Sequence, residues 1–129
     1  MANEIQASFS LAVNNGALID SKQFSFQADQ ALARENKVVQ SIPTTAAGTA
    51  LTFSSGVTTL GTAYFINLDA TNFVEVGVQV AGTFYPVARM KGGVVGKKEG
   101  AMFRLVPGVT YYARADTAAV VLEYGVFND

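Results

Sequence analysis

The chain contains no cysteine, no histidine and no tryptophan. Without cysteine, neither a disulfide frame nor a thiolate metal site can form, and the redox compartment is left open. Without histidine as well, neither a Ser-His-Asp nor a Cys-His device can be assembled, and no imidazole can ligate a metal. Long hydrophobic runs are missing too. No stretch approaches about 18 uninterrupted apolar residues, which argues against a transmembrane helix. The opening MANEIQASFS carries an acid and no basic cluster, so it does not read as a secretory signal. Charge is scarce: charged residues make up 15 % of the chain, against about a quarter in ordinary domains.

What is present is apolar and balanced. Half of the 129 residues are hydrophobic, and nine basic against ten acidic residues leave a net charge of −1. That balance predicts no wholesale attraction to nucleic acid or to an anionic membrane. The length fits one domain, 1–129. A surface so poor in charge is expected to be covered in part by a protein partner, the alternative being a Gly/Ala/Thr-rich β protein kept soluble by hydroxyls and amides.

Alternation with period two dominates. In 73–80 (FVEVGVQV), Val74, Val76, Val78 and Val80 fall on one face, with Glu75, Gly77 and Gln79 on the other. Ile5, Ala7, Phe9, Leu11 and Val13 alternate similarly, and Asn14-Asn15-Gly16 then turns the chain into a second strand over 17–27. Further strands are predicted near 37–42, 50–53, 63–68, 84–90, 101–106, 109–115 and 119–126. Val106-Pro107-Gly108-Val109 suits a type II turn, and Asp69-Ala70-Thr71-Asn72 an Asx turn. Ala81-Gly82-Thr83 and Asp116-Thr117-Ala118 read as short hairpin loops, and 41–62 as a loosely held loop around a short strand. Only 27–36 (QADQALAREN) looks helical, for a turn or two at most. This pattern predicts an all-β sandwich of about eight to nine antiparallel strands, with a jelly roll preferred and an immunoglobulin-like sandwich second.

Chemistry is harder to find. The glycine- and lysine-rich stretch 91–100 (KGGVVGKKEG) fails as a phosphate loop, because Lys91 and Lys98 occupy the positions that need Gly and Ser or Thr. It reads as a mobile connection in which Lys97 and Lys98 would meet an acidic neighbour. Asp69 and Glu75 flank a turn, but a solvated turn former and an outward strand residue are a better reading than a catalytic pair. Three residues, Asn67, Asp69 and Asn72, are too few for a calcium site. No catalytic residue, cofactor or metal site is therefore expected. Alternation groups Arg89 and Lys91 with Tyr85 and Val87, and Arg114 with Tyr112. Such interleaving can bind single-stranded nucleic acid, but at net charge −1 a protein interface is favoured. Phe9, Phe24, Phe26, Phe65, Phe103 and Phe127 read as core, while Tyr85, Tyr111, Tyr112 and Tyr124 could line a carbohydrate platform.

From about residue 63 onward the chain contains FINLDATNFVEVGV, YPVARMK and AMFRLVPGVTYYARADTAAVVLEYGVFND. This half resembles small virion structural proteins of tailed bacteriophages. The resemblance is carried by Asn67, Leu68, Asp69, Thr71, Asn72, Val74, Glu75, Val76 and Gly77. It continues through Phe103, Arg104, Leu105, Pro107 and Gly108, then Ala115, Ala119, Val120, Leu122, Glu123 and Tyr124. The stretch 91–100 is longer than the usual connection in that pattern. The resemblance implies a non-enzymatic jelly-roll protein on the capsid surface, assembled in the host cytoplasm. Its role would be cement or decoration, binding the major capsid protein as a homo-oligomer, a dimer or trimer. A tail, baseplate or head-fibre component is the alternative within that class, and a carbohydrate-binding sandwich the alternative outside it. The residues expected at interfaces are Ile5, Phe9 and Leu11 on a subunit-contacting strand over 1–13, then Tyr85, Arg89, Lys97, Lys98, Tyr112 and Arg114.

Overall fold

The computed structural model describes residues 5–28, 35–53 and 55–128. Ten strands follow in order: β1 (Ile5–Asn15), β2 (Leu18–Ala28), β3 (Glu35–Ile42), β4 (Thr49–Ala50), β5 (Leu60–Asn67), β6 (Val74–Val80), β7 (Thr83–Met90), β8 (Gly100–Arg104), β9 (Tyr111–Ala115) and β10 (Val120–Asn128). Every ladder is antiparallel. No helix occurs among the described residues. Of the segment that looked helical, Gln27 and Ala28 close β2 and Glu35 and Asn36 open β3; 29–34 lie outside the described residues.

The chain divides into two compact units, Met1–Ala33 and Arg34–Asp129. In the second, pairing is nested: β3 with β10, β4 with β9, β5 with β8, β6 with β7. That is one long hairpin, and rolling it on itself adds the ladders β10–β5 and β9–β6. Two four-stranded sheets result, ordered β3-β10-β5-β8 and β4-β9-β6-β7. This strand order is the jelly roll, an all-β sandwich of eight strands.

The core is the shared inner face of the two sheets. Phe65, Leu122, Tyr124 and Val126 from one sheet meet Val74, Val76, Met90 and Ala113 from the other, all at most 1 % exposed. Phe65 stacks on Phe103 at 5.3 Å and on Tyr124 at 6.1 Å. The segment expected to be a loose loop is instead stitched into this core. The Leu51 N–H donates to the Tyr111 carbonyl, and the Tyr124 hydroxyl sits between Thr52 and Gln40.

Local turn chemistry sets the corners. Pro107 and Gly108 (φ +80°) form the expected turn, closed by the Val109 N–H on the Val106 carbonyl at 3.4 Å. Between β6 and β7 the loop is the two residues Ala81-Gly82, both at positive φ, which matches a type I′ hairpin. Asp116–Ala118, by contrast, is no hairpin loop: β9 and β10 belong to different sheets, so this segment carries the chain across the sandwich.

The first unit is a two-stranded ribbon in unbroken register, Ile5↔Ala28 through Asn15↔Leu18. Gly16-Ala17 forms the turn, one residue later than the sequence suggests, with Gly16 at φ +58°. One ribbon face carries Ile5, Ala7, Phe9, Leu11, Val13, Phe24 and Phe26; the other is mostly serine and glutamine. Phe24, expected in a core, is 60 % exposed, while its ring stacks on Phe9 at 4.7 Å.

Candidate interaction surfaces

The outer face of sheet β4-β9-β6-β7 is organised by a bulge. Val76 opposes Ala88 and Gly77 opposes Pro86, leaving Val87 without a partner across the ladder. A Cβ at position 77 would collide with the Tyr85 carbonyl oxygen and stand 2.8 Å from the Pro86 Cα, so glycine is required where the strands close in. The extra residue reverses alternation along β7. Arg89 therefore shares the outer face with Phe84 and Pro86, opposite Glu75, rather than with Tyr85 and Val87 as simple alternation implied.

Glu75 occupies the centre of this face and is only 4 % exposed, which corrects the reading of a solvated strand residue. Arg89 donates to Oε1 through Nη2 at 2.6 Å and Nε at 3.0 Å; Arg114 donates to Oε2 at 2.8 Å. Burial pushes the Glu75 carboxyl upward, but the bonds and charges of the two arginines outweigh it and hold the group below its usual range. The Arg89 guanidinium also lies 3.9 Å above the Phe73 ring, and that of Arg114 lies 4.8 Å from the Phe84 ring. A shallow cleft of about 300 Å³ opens here, lined by Phe73, Glu75, Arg89, Arg114 and Asp116.

The stretch 91–100 is tied to its neighbours by several hydrogen bonds. The Gly93 N–H donates to the Asp69 carbonyl at 3.0 Å, and the Lys91 N–H to the Glu99 carboxylate at 2.7 Å. Gly92 passes so close to the Asx turn that a Cβ there would lie 2.6 Å from the Thr71 nitrogen. Lys98 spends its ammonium on the Leu68 carbonyl at 2.5 Å, whereas Lys97 stays exposed. A turn closed by the Lys97 N–H on the Val94 carbonyl holds Val95 at the tip, 92 % exposed.

Asp69 is the keystone of the turn beneath. Its Oδ1 accepts from the N–H groups of Asn72 at 2.6 Å and Thr71 at 2.7 Å, and these bonds hold its carboxyl below the usual range. Asn67, wholly buried and missed as a structural residue, donates to the Asn72 and Met90 carbonyls and accepts from the Asp69 N–H. Neither carboxylate of the Asp69/Glu75 pair is left free of these bonds.

The four tyrosines are not brought together as a platform. Tyr124 and Tyr111 are core residues, 0 % and 7 % exposed, and their hydroxyls bond inside the sandwich. Tyr112 lies on the outer face opposite Gly77, and Tyr85 is 53 % exposed in β7. Among the interface candidates, Arg89, Arg114 and Tyr112 share one outer sheet face, Lys97 and Lys98 lie in the neighbouring loop, and Ile5, Phe9 and Leu11 line the ribbon's apolar face. Among the described residues, no group of acidic side chains is gathered as a metal site, and no helix is long and apolar enough to cross a membrane. No protein-family model, no curated protein and no solved structure matches the chain.

Proposed function

We propose that the chain is a non-enzymatic structural protein of a bacteriophage virion, a decoration subunit that adds to the capsid surface as a homo-oligomer. The observation that carries this reading is the pairing of a jelly roll with an amphipathic ribbon almost devoid of charge. A two-stranded ribbon is at best marginally stable by itself, so a segment of this kind belongs to an assembly that covers it. The jelly roll is an architecture used in viral shells and in lectins. Two of the four tyrosines that a sugar platform would need are in the core, which favours the shell reading.

On this reading the major capsid protein is the partner, and many copies on one lattice gain avidity from modest individual contacts. The outer face around Arg89 and Arg114 and the exposed Val94-Val95 tip are surfaces available to it. The test is co-sedimentation of the purified chain with expanded phage shells. Saturable addition to shells supports the proposal; addition to isolated tails instead assigns the chain to the tail.

A further inference from the structure

Seven asparagines occur in the chain, and only Asn15 is followed by glycine. The residues after the others all carry side chains: Glu4, Asn15, Lys37, Leu68, Phe73 and Asp129. An asparagine side chain cyclises by joining its Cγ to the backbone nitrogen of the next residue, and a Cβ on that residue obstructs the approach. Gly16 has no Cβ, and one built there would meet nothing within 4 Å, so the turn stands clear of the rest of the chain.

The turn also leaves both reacting groups unheld. Asn15 and Leu18 form the last rung of the ribbon, with Gly16-Ala17 as the loop. Gly16 is at φ +58° and Ala17 is not at positive φ, the pattern of a type II′ hairpin. Among the described residues, no hydrogen bond occupies the Gly16 N–H or the Asn15 side chain. Asn15, Gly16 and Ala17 are all exposed, so water reaches the site. Asn67 and Asn72 are the opposite case. Asn67 is buried and donates to two carbonyls, and the Asn72 side-chain carbonyl accepts from the Thr117 hydroxyl at 2.9 Å.

We propose that Asn15 is a site of spontaneous covalent modification, where its amide is converted to a carboxylate through a cyclic imide with Gly16. Hydroxide removes the Gly16 amide proton, and that nitrogen forms a bond to the Asn15 Cγ. The bond from Cγ to Nδ2 breaks, and Nδ2 takes a proton from water and leaves as ammonia. Water then opens the imide at either carbonyl. Opening at Cγ gives aspartate; opening at the main-chain carbonyl gives isoaspartate, in which the chain runs through Cγ. Either way one water is taken up, one ammonia is released and one carboxylate is made. Ring closure needs Asn15 to leave its extended conformation, which a terminal rung allows because such rungs open readily.

Both products add a negative charge to a tip whose neighbours Leu18 and Ile19 are 61 % and 74 % exposed. Isoaspartate also lengthens the backbone by a methylene group inside the last rung, which a two-residue loop does not absorb. The modification therefore changes both the charge and the turn of the ribbon. It stands apart from the assembly reading and is tested without shells.

The experiment incubates the full chain in mildly alkaline buffer and follows the peptide containing residue 15 by mass spectrometry, with fragmentation that separates aspartate from isoaspartate. Loss of the Asn15 amide should outpace that of Asn14 about tenfold or more, with isoaspartate among the products. Asn15→Gln should abolish isoaspartate in this peptide. Gly16→Ala should slow the loss at Asn15 about tenfold, because cyclisation depends on residue 16 whereas direct hydrolysis of the amide does not. The same incubation in urea reports the unfolded chain. An Asn15 amide that survives in the folded chain but is lost in urea would show that the hairpin protects the site, and would overturn the proposal. Aspartate formed without isoaspartate, at a rate that Gly16→Ala leaves unchanged, would overturn it as well.

Discussion

Arg89 reaches across from β7 to bond Glu75 at 2.6 Å on a carboxylate that is almost wholly buried. Arg114 holds the other oxygen from β9, so one side chain ties three neighbouring strands together. Removing the carboxylate leaves two guanidiniums facing each other over the Phe73 ring and the Phe84 ring. Breaking a buried pair costs about 3–5 kcal/mol, but Arg89 is half exposed and can regain water. Glu75→Ala is therefore expected to lower unfolding free energy by about 2 kcal/mol, read as a reduced urea midpoint with an unchanged m-value.

Acid should expose the same bonds. Glu75 and Asp69 both have carboxyl groups held below their usual range in the folded chain. A depressed folded-state value contributes stability above the unfolded value, lost as pH falls through the folded one. Stability is expected to be level from about pH 7 to 5 and to fall below about pH 4, where unfolded carboxylates take up protons. Glu75→Gln should flatten part of that acid limb in urea titrations at stepped pH. An unchanged limb would remove Glu75 from the account.

Ala81 has a φ of +50° in a type I′ turn, a conformation that asparagine and glycine adopt more readily. Ala81→Asn should stabilise the chain by about 0.5–1 kcal/mol, measured by thermal unfolding. Gly77 is the opposite case. Gly77→Ala drives a methyl group into the Tyr85 carbonyl and should cost about 3 kcal/mol or more.

The two lysines of the 91–100 loop should separate. Lys98 is bonded to the Leu68 carbonyl, so Lys98→Ser is expected to destabilise the fold, by about 1 kcal/mol. Lys97 is exposed, and Lys97→Ser should leave stability alone while weakening shell attachment at low salt. A loss of stability in Lys97→Ser would mean the assignments are exchanged.

These predictions concern residues that sequence reasoning handled unevenly. The valine face of β6, the Pro107-Gly108 turn and the Asp69 Asx turn were legible because each follows from local periodicity or one residue's turn chemistry. The outer face was not. One bulged residue at Val87 reverses alternation, and nothing local in YPVARM reports it, although Gly77 in the opposing strand is the sequence mark of a close approach. Glu75 and Asn67 look like surface residues because their partners lie 14 to 39 and 5 to 23 positions away. Several residues of the C-terminal half hold this framework: Asn67 and Asp69 brace a corner, Glu75 ties strands, Gly77 admits the bulge and Tyr124 anchors Thr52. Phe24 was misplaced because a face that alternates cleanly reads as core whether or not the chain itself covers it.

The decoration reading is tested most directly by electron cryomicroscopy of expanded phage shells incubated with the chain. The account predicts additional density at symmetric sites on the outer surface, sized for oligomeric jelly rolls, and its absence when Phe24→Asp chain is substituted. Shells that remain bare at saturating concentrations of a folded, oligomeric chain would contradict it.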